Sequence, residues 1–270
     1  MLEVGGWMLE VGDWRLEMEN LNWQKWFEQW EVMQNCYVPH RPYRFDLMVR
    51  LADLPREGEA QILDLGCGPG SLAFRALRWY PNAHAVAVDS DPVLLAMGQA
   101  VAEEALDRIR FVQADIQQAD WWETYEEAFD LVLSATALHR LSAEDLEQLY
   151  EHIYRALRPG GWFMSSGYMT SSDPGTRACL QEMLHVNQQS ALHVTGAYDW
   201  DGFWQGLGRD LEQTELLQYH RPRQGPESGL LKHDHVSALK ACGFERVEFH
   251  WQDLGEAVAS ARKLSGTNKG

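Results

Sequence analysis

Short apolar runs alternate with segments of helical periodicity through the middle of the chain. Five apolar runs predict strands at 61–65, 84–88, 109–113, 129–134 and 162–165. The segments between them predict helices at 72–80, 92–106 and 143–157. Strands that are buried on both faces have near-continuous apolar sequences. The alternation therefore predicts a doubly wound, mostly parallel sheet with helices on both faces.

The pattern changes after Ser165. Residues 168–230 are rich in polar and aromatic side chains and predict a helical cap inserted over the sheet. The alternation then resumes with a predicted helix at 234–242, closed by Gly243, and two strands at 244–251 and 257–261. These two strands predict a terminal antiparallel hairpin, which completes a Rossmann-like sheet of seven strands.

The N-terminal region is aromatic. Residues 1–20 contain a direct repeat, MLEVGGW then MLEVGDW, and predict an arm without an assigned function. Within 21–58, Trp23, Trp26, Phe27 and Trp30 recur at spacings of three and four, so they share one helix face. This face either packs on the main domain or forms a lid over a ligand. We expect one domain over 21–270.

Composition narrows the class of ligand. The formal net charge of −17 opposes phosphate backbones, and no basic patch offsets it, so we expect a small-molecule substrate and no nucleic acid. No apolar run is long enough to span a bilayer, and no signal peptide is recognisable. The four cysteines lack metal-ligand spacing. We expect a cytoplasmic monomer or homodimer that does not bind membranes.

The candidate chemistry begins at the sequence DLGCGPG, residues 64–70. Gly66, Gly68 and Gly70 allow a sharp turn and a close approach of backbone to ligand. The spacing is G-x-G-x-G, whereas a dinucleotide-binding turn has G-x-G-x-x-G. Asp64 precedes this turn, where a carboxylate would oppose pyrophosphate but could pair with an ammonium group.

Two more acids follow successive predicted strands. Asp89 follows the second strand, where a carboxylate can accept both hydroxyls of a ribose. Asp115 follows the third strand and has Ile116 beside it, which suits an adenine amino group and an adenine ring. One acid at a strand end is commonly a solvated loop residue, but three at successive strand ends indicate a nucleoside site.

These residues belong to a series of motifs that resembles the class I S-adenosylmethionine (SAM)-dependent methyltransferase family. The motifs are LDLGCGPG (63–70), VDSDP (88–92), FVQADI (111–116), FDLVLSATALHRL (129–141) and LRPGGWF (157–163). The match covers roughly residues 60–167, and the end of the chain is similar to the closing helix and hairpin of that fold. Each motif alone is weak evidence, but the order and spacing of all five are specific.

The resemblance implies SAM as cofactor and a role for each matched position. The methionine end would lie against Asp64, Gly66, Cys67, Gly68 and Gly70. The ribose would bind Asp89, with Ser90 and Asp91 beside it, and the adenine would bind Asp115 and Ile116. The sulfonium side would be lined by Ser134 and Ala135. Similar sequences also place a tyrosine and an arginine near the cofactor carboxylate, which implies Tyr37 and Arg41.

His139 is the candidate general base, because it follows the fourth strand near the expected methyl group. Histidine has an unperturbed pKa of about 6.5, which suits proton transfer near neutral pH. The alternative is that His139 packs over the cofactor or caps the following helix. Many relatives have an aromatic residue where this chain has Arg140.

The substrate walls are predicted to be aromatic. Seven of the twelve tryptophans lie in the N-terminal segment or the insertion. We expect Trp30, Tyr168, Trp200 and Trp204 to contact an aromatic or apolar substrate. No metal site is predicted, because neither His233 and His235 nor His185 and His193 have a third ligand.

The predicted activity is methyl transfer to an oxygen or nitrogen atom, and less readily to carbon. Two alternatives stay open at this point. One is a SAM-binding enzyme that does not methylate, of the cyclase or carboxy-SAM type. The other is a non-catalytic subunit of the same fold that binds a partner.

Overall fold

The computed structural model describes residues 21–102, 105, 107–118, 122–169, 171–211 and 231–265. Seven strands form one sheet in the order β3-β2-β1-β4-β5-β7-β6. Their bounds are β1 Gln61–Leu65, β2 His84–Asp89, β3 Ile109–Gln113, β4 Phe129–Ala135, β5 Leu157–Tyr168, β6 Arg246–Asp253 and β7 Glu256–Arg262. Strands β1 to β5 are parallel, and β7 runs antiparallel to both of its neighbours. The predicted Rossmann-like sheet with its terminal hairpin is confirmed.

Eight α-helices surround this sheet in the described part of the chain. Their bounds are α1 Trp23–Tyr37, α2 Arg41–Leu51, α3 Ser71–Trp79, α4 Pro92–Val101, α5 Ala143–Ala156, α6 Pro174–Thr195, α7 Trp200–Leu211 and α8 Lys232–Ala241. Four of the described helices, α1, α4, α5 and α6, begin after a residue whose side chain caps the first turn. Asp91 accepts hydrogen bonds from the first turn of α4, and Ser142 accepts one from Asp145 at the start of α5.

The strand order creates a crevice beside β1. The chain moves from β1 outward to β2 and β3, then returns to the other side of β1 with β4 and β5. In such sheets the ligand binds outside the carboxyl ends of the strands, at the point where the order reverses. Residues 62–65 of β1 are fully buried in the centre of the core. The turn that follows β1 is therefore attached to the most tightly packed strand of the sheet.

The fifth strand was predicted at 162–165, and the prediction of its start was wrong. Strand β5 begins at Leu157 and runs through residues 159–161. Its neighbours satisfy the backbone there, because Gly160 N–H donates to the Lys263 carbonyl and Lys263 N–H donates to the Gly161 carbonyl. A register shift against β4 between Phe129 and Leu131 accommodates the irregular backbone.

The described part of the predicted cap consists of α6 and α7. Helix α7 packs its aromatic side chains against α1, with Trp26 and Trp30 contacting Phe203 at ring-centroid distances of 5.5 and 5.6 Å. The same cluster reaches Met97 of α4, so the aromatic face of α1 is packed rather than open. The predicted arm at 1–20 and residues 212–230 of the predicted cap lie outside the described residues.

Gly98 in α4 packs closely against β3 and the glycine turn. A Cβ atom at this position would lie 2.6 Å from Phe111 Cε1 and 2.7 Å from the Pro69 carbonyl oxygen. We predict that Gly98→Ala lowers the free energy of unfolding by about 1–3 kcal/mol. The reason is that the Pro69 carbonyl group, which belongs to the backbone and cannot rotate away, leaves no room for the added methyl group. Denaturant unfolding measures the change.

Gly167→Ala is the matched control. No atom lies within 4 Å of a Cβ built at Gly167, so the same added methyl group should change stability by less than about 1 kcal/mol. Equal losses for the two variants would contradict the packing of α4 described above.

Candidate active site

A cavity of about 490 Å³ opens at the carboxyl ends of β1, β2 and β4. The strand ends form its floor, and α1, α6 and α7 cover it. A second cavity of about 50 Å³ lies next to it, between the glycine turn and α2. Gly66, Gly68, Trp30 and Ala135 line both, so the two cavities form one site with a large and a small compartment.

The glycine turn is held against the end of β2 by backbone hydrogen bonds. Gly66 and Cys67 N–H groups donate to the Val88 carbonyl at 2.9 and 3.0 Å, and Gly68 N–H donates to Asp89 Oδ2 at 2.7 Å. Gly66 has φ +66°, and a Cβ there would lie 2.4 Å from the Ala137 Cβ. Only glycine therefore allows this backbone to reach the cavity.

Asp64 lines the small compartment and is completely buried. Its Oδ2 accepts a hydrogen bond from Ala73 N–H at 3.0 Å, whereas its Oδ1 is buried without a hydrogen-bond partner in the described residues. Burial raises the pKa of Asp64 to about 7, and the neighbouring Asp89 acts in the same direction. A buried, unpaired carboxylate oxygen fits a ligand that brings its own donor, such as the ammonium group of a methionine moiety.

Asp89 and Asp91 have different tasks at the end of β2. Asp89 lines the large compartment and accepts from Gly68 N–H and Asp91 N–H, and burial raises its pKa. Asp91 accepts from the first turn of α4, and burial raises its pKa to about 6. Asp91 and Ser90 also line the cavity. Asp89 therefore connects the glycine turn to the ligand side, while Asp91 fixes α4.

Asp115 and Ile116 line the far end of the large compartment, after β3. Asp115 Oδ1 accepts a hydrogen bond from Gln117 N–H at 3.1 Å, which holds this loop in a tight turn. Ile116 packs against the core on the α5 side of the sheet. An acid and an apolar side chain thus lie together at the end of the cavity that faces β3.

Three predicted positions differ from their expected places. Ser134 lines neither compartment, because its hydroxyl is buried and donates to the Leu65 carbonyl at 2.9 Å. Gly70 also lies outside both; with φ +85° it forms the N-cap of α3. Cys67 lines only the small compartment, and burial raises the pKa of its thiol. The spacing of the motif placed these residues in the turn but could not say which way each side chain points.

Thr136 is a lining residue that the sequence analysis missed. It directly follows β4 and has φ +57°, a left-handed conformation that is unfavourable for a β-branched residue. Its N–H donates to the Ser166 carbonyl at 2.7 Å, which holds the strained backbone in place. The strain lies where Ala135 and Ala137 line the cavity.

Tyr37 and Arg41 line different compartments of the site. Tyr37 lines the large compartment, and its hydroxyl accepts from Trp200 N–H at 3.0 Å. Arg41 lines the small compartment with Asp64, but its guanidinium group makes two hydrogen bonds of 2.9 Å to Glu31. The guanidinium group of Arg41, which was predicted to lie near a cofactor carboxylate, therefore pairs with the carboxylate of Glu31.

His139 lies in a short 3₁₀ helix, Leu138–Arg140, directly after β4, and lines the large compartment. All four predicted wall residues also line it, namely Trp30, Tyr168, Trp200 and Trp204. Trp30 packs against both cap tryptophans, with ring centroids 5.9 Å from Trp200 and 6.4 Å from Trp204. The aromatic face of α1 thus serves both packing and the wall of the cavity.

Two further sets of lining residues were missed. One face of α6 lines the cavity with Gln181, Leu184, His185 and Gln188, at the helical spacing i, i+3, i+4 and i+7. This spacing can be read from the sequence, but the sequence analysis weighed only His185 of this face, and only as a possible metal ligand with His193. Glu256 lines the cavity from the start of β7, and no local pattern marked it. Among the described residues no group of three or more side chains could hold a metal ion.

The comparisons with known proteins agree with this geometry. Residues 62–161 match the family model described as a methyltransferase domain. This segment therefore carries a methyltransferase domain, and the sheet described above has the Rossmann-like fold of such domains. The match supports SAM as the cofactor, and the buried, unpaired oxygen of Asp64 beside the glycine turn fits it. No described helix is long and apolar enough to cross a membrane.

Curated relatives match over part of their length. Trans-aconitate 2-methyltransferase of Shigella flexneri serotype 5b is 38% identical over 112 residues, which are 41% of this chain and 40% of the relative. The enzyme of the same name from Variovorax paradoxus is 35% identical over 111 residues, 41% of this chain and 39% of that one. The matched segment thus spans about two fifths of these relatives.

Solved structures extend the likeness in fold to most of the chain. Human N-acetylserotonin methyltransferase in complex with SAM matches with a TM-score of 0.53 and 18% identity. The match covers 92% of this chain and 60% of the human protein. At this identity the match supports the fold, including the helices that cover the sheet, and no more.

The state of Asp64 gives a prediction for cofactor binding. Because its pKa is about 7, Asp64 is largely neutral at pH 6.0, and only the charged form attracts an ammonium group. S-adenosylhomocysteine should therefore bind about eightfold more weakly at pH 6.0 than at pH 7.5, measured by calorimetry. In Asp64→Asn the affinity should be lower at both pH values and change by less than about twofold between them. A wild-type affinity that rises on acidification would contradict this assignment.

Proposed function

We propose that this chain is a SAM-dependent methyltransferase that methylates an oxygen or nitrogen atom, and less readily carbon, of a small aromatic or apolar molecule. The observation that carries the proposal is one cavity bounded by Gly66, Asp89 and Asp115 at three strand ends and by an aromatic cap. The strand-end residues suit the cofactor. The aromatic cap suits an acceptor molecule from which water is excluded.

The residues that would hold the cofactor follow the strand ends. Asp64, with its unpaired oxygen, suits the ammonium group, and the turn at Gly66 and Gly68 allows backbone contact with the methionine chain. Asp89 suits the ribose hydroxyls, and Asp115 with Ile116 suits the adenine. When bound, SAM supplies an activated methyl group on a sulfonium centre.

The chain's own contribution to the reaction would be orientation, exclusion of water and removal of one proton. Trp30, Trp200 and Trp204 provide an apolar wall that can hold an aromatic acceptor in one orientation, and proximity of this kind lowers much of the barrier. His139, which lines the cavity after β4, would take the proton from an O–H or N–H acceptor.

The rival functions differ from this one in a measurable product. Methyl transfer yields S-adenosylhomocysteine and an acceptor heavier by one methylene, whereas a cyclase or carboxy-SAM enzyme yields neither. A non-catalytic subunit would bind the cofactor without any turnover. Mass spectrometry of a reaction with a library of small phenols and amines separates the three.

Binding of SAM tests the first part of the proposal. We expect calorimetric titration to give one site, and Asp89→Ala to weaken binding by about tenfold or more. The loss has two causes, since Asp89 both faces the cavity and holds Gly68 N–H. Glu248→Ala on β6, outside both compartments, is the control and should bind as wild type. Absence of SAM binding by the wild type, or an unchanged affinity for SAM in Asp89→Ala, would contradict the proposal.

His139→Ala tests the catalytic part. For an acceptor found in the library, we expect the turnover rate to fall by about 10²–10⁴-fold while the dissociation constant for SAM stays within about threefold of wild type. His193→Ala is the control, because His193 is exposed on α6 and lines neither compartment. Equal turnover of His139→Ala and wild type would leave His139 as a packing residue.

A further inference from the structure

A buried ion pair lies beside the large compartment, apart from the acids at the strand ends. Arg44 of α2 is fully buried and donates from Nη2 to Glu256 Oε2 at 2.7 Å and from Nε to Ser166 Oγ at 2.7 Å. Glu256 is 8% exposed and lines the large compartment, whereas Arg44 lines neither. The guanidinium group therefore lies behind the carboxylate, and only the carboxylate faces the ligand.

The sheet fixes Glu256 beside the aromatic wall. Glu256 on β7 is directly opposite Tyr168 on β5, and opposite residues of an antiparallel pair point to the same face. Ser166, two residues before Tyr168, shares that face and holds Arg44. The carboxylate and the Tyr168 ring thus form adjacent parts of one wall.

The turn between β6 and β7 gives this wall its shape. Leu254 and Gly255 both have positive φ, +46° and +83°, as a two-residue hairpin turn requires. A Cβ at Gly255 would lie 2.7 Å from Tyr168 Cε2, so the ring packs directly on the glycine. Met169 N–H also donates to the Gly255 carbonyl at 2.7 Å. The position of Glu256 next to the ring is therefore built into the backbone.

The charges around the cavity favour one class of acceptor. Among the described residues that line the large compartment, Arg140 is the only permanent cation, and it is exposed. Burial raises the pKa of Asp89, and Arg140 opposes that effect, so its charge acts at the cofactor end. Helix α6 contributes to the same lining the neutral amides of Gln181 and Gln188 and the imidazole of His185. A carboxylate on the acceptor would face the Glu256 carboxylate, and Arg44, which offsets the charge of Glu256 from behind, does not line the cavity to pair with that second carboxylate.

We propose that Glu256 determines acceptor specificity by binding an ammonium group, and that the methyl acceptor is a small aromatic amine. This inference rests on the proposed methyltransferase function. The aromatic ring would pack against Tyr168 and the cap tryptophans, while the ammonium group donates hydrogen bonds to the Glu256 carboxylate. Arg44 is a positioning residue, because it holds the carboxylate without reaching the cavity.

The test uses three phenols of matched size that differ in the end group of the side chain. Tyramine carries an ammonium group, tyrosol a hydroxyl group, and 3-(4-hydroxyphenyl)propionate a carboxylate; trans-aconitate serves as a polyanionic probe. Each is titrated by calorimetry into the full chain saturated with S-adenosylhomocysteine. We expect tyramine to bind about tenfold or more tightly than tyrosol, and the two anions to bind more weakly still.

The variants attribute this preference to Glu256. In Glu256→Gln the ratio of tyramine to tyrosol affinity should fall to below about threefold. That variant leaves Arg44 buried without its partner, so thermal unfolding is measured beside it. The double variant Arg44→Met/Glu256→Gln removes both charges and should regain stability while the preference stays lost. A merely structural role for the pair would restore the preference together with the stability.

The outcomes separate this inference from the function on which it rests. If S-adenosylhomocysteine does not bind, the proposed methyltransferase function fails, and the proposal for Glu256 fails together with that function. If it binds, but tyramine shows no preference over tyrosol, either anion binds as tightly, or none of the probes binds, the proposal for Glu256 alone is overturned. An unchanged preference in both variants overturns it as well.

Discussion

The site depends on the hydrogen bonds that hold the glycine turn against the end of β2. Three consecutive N–H groups, from Gly66 to Gly68, donate to the Val88 carbonyl and the Asp89 carboxylate. These bonds fix the turn that follows the central strand, and they do so with the same aspartate that faces the ligand. Because the turn also begins α3, its position sets where Ala73 meets Asp64. One small set of contacts therefore connects the core of the sheet to the floor of the cavity.

The cost of this arrangement is a buried carboxylate with one unpaired oxygen. Desolvation of Asp64 disfavours its charged form, and no hydrogen bond from the described residues offsets the penalty at Oδ1. A ligand with an ammonium group would pair with this oxygen and remove the penalty. The free energy of cofactor binding would then include the relief of this desolvation as well as the new hydrogen bond. The neighbouring Arg41 differs, because its guanidinium group is already paired with the carboxylate of Glu31.

Local patterns predicted most of the sheet and placed the acids at its strand ends, because both are encoded within short segments. Strand β1 and the acids Asp64, Asp89 and Asp115 follow from apolar runs and their ends, which local sequence specifies. Strand β5 was mispredicted because partners distant in sequence satisfy its irregular backbone at Gly160. Glu256 was missed for the same reason, since its place in the wall depends on pairing with β5.

The cap shows a second limit of local pattern. The aromatic face of α1 was open to two interpretations, and the structure combines them: Trp26 packs against α7, while Trp30 also lines the cavity. Helical spacing gives the face of a side chain but not its partner, and the partner here comes from α7, far along the chain. The polar face of α6 had the right spacing as well, but nothing local connected it to a site.

A crystal structure of the full chain with S-adenosylhomocysteine tests the central claim most directly, which is that the orphaned Asp64 oxygen and the strand-end acids hold the cofactor. The account predicts the amino group within hydrogen-bond distance of Asp64 Oδ1, the ribose at Asp89 and the adenine between Asp115 and Ile116. A ligand bound in the reverse direction, or one that leaves Asp64 Oδ1 without a donor, would contradict it.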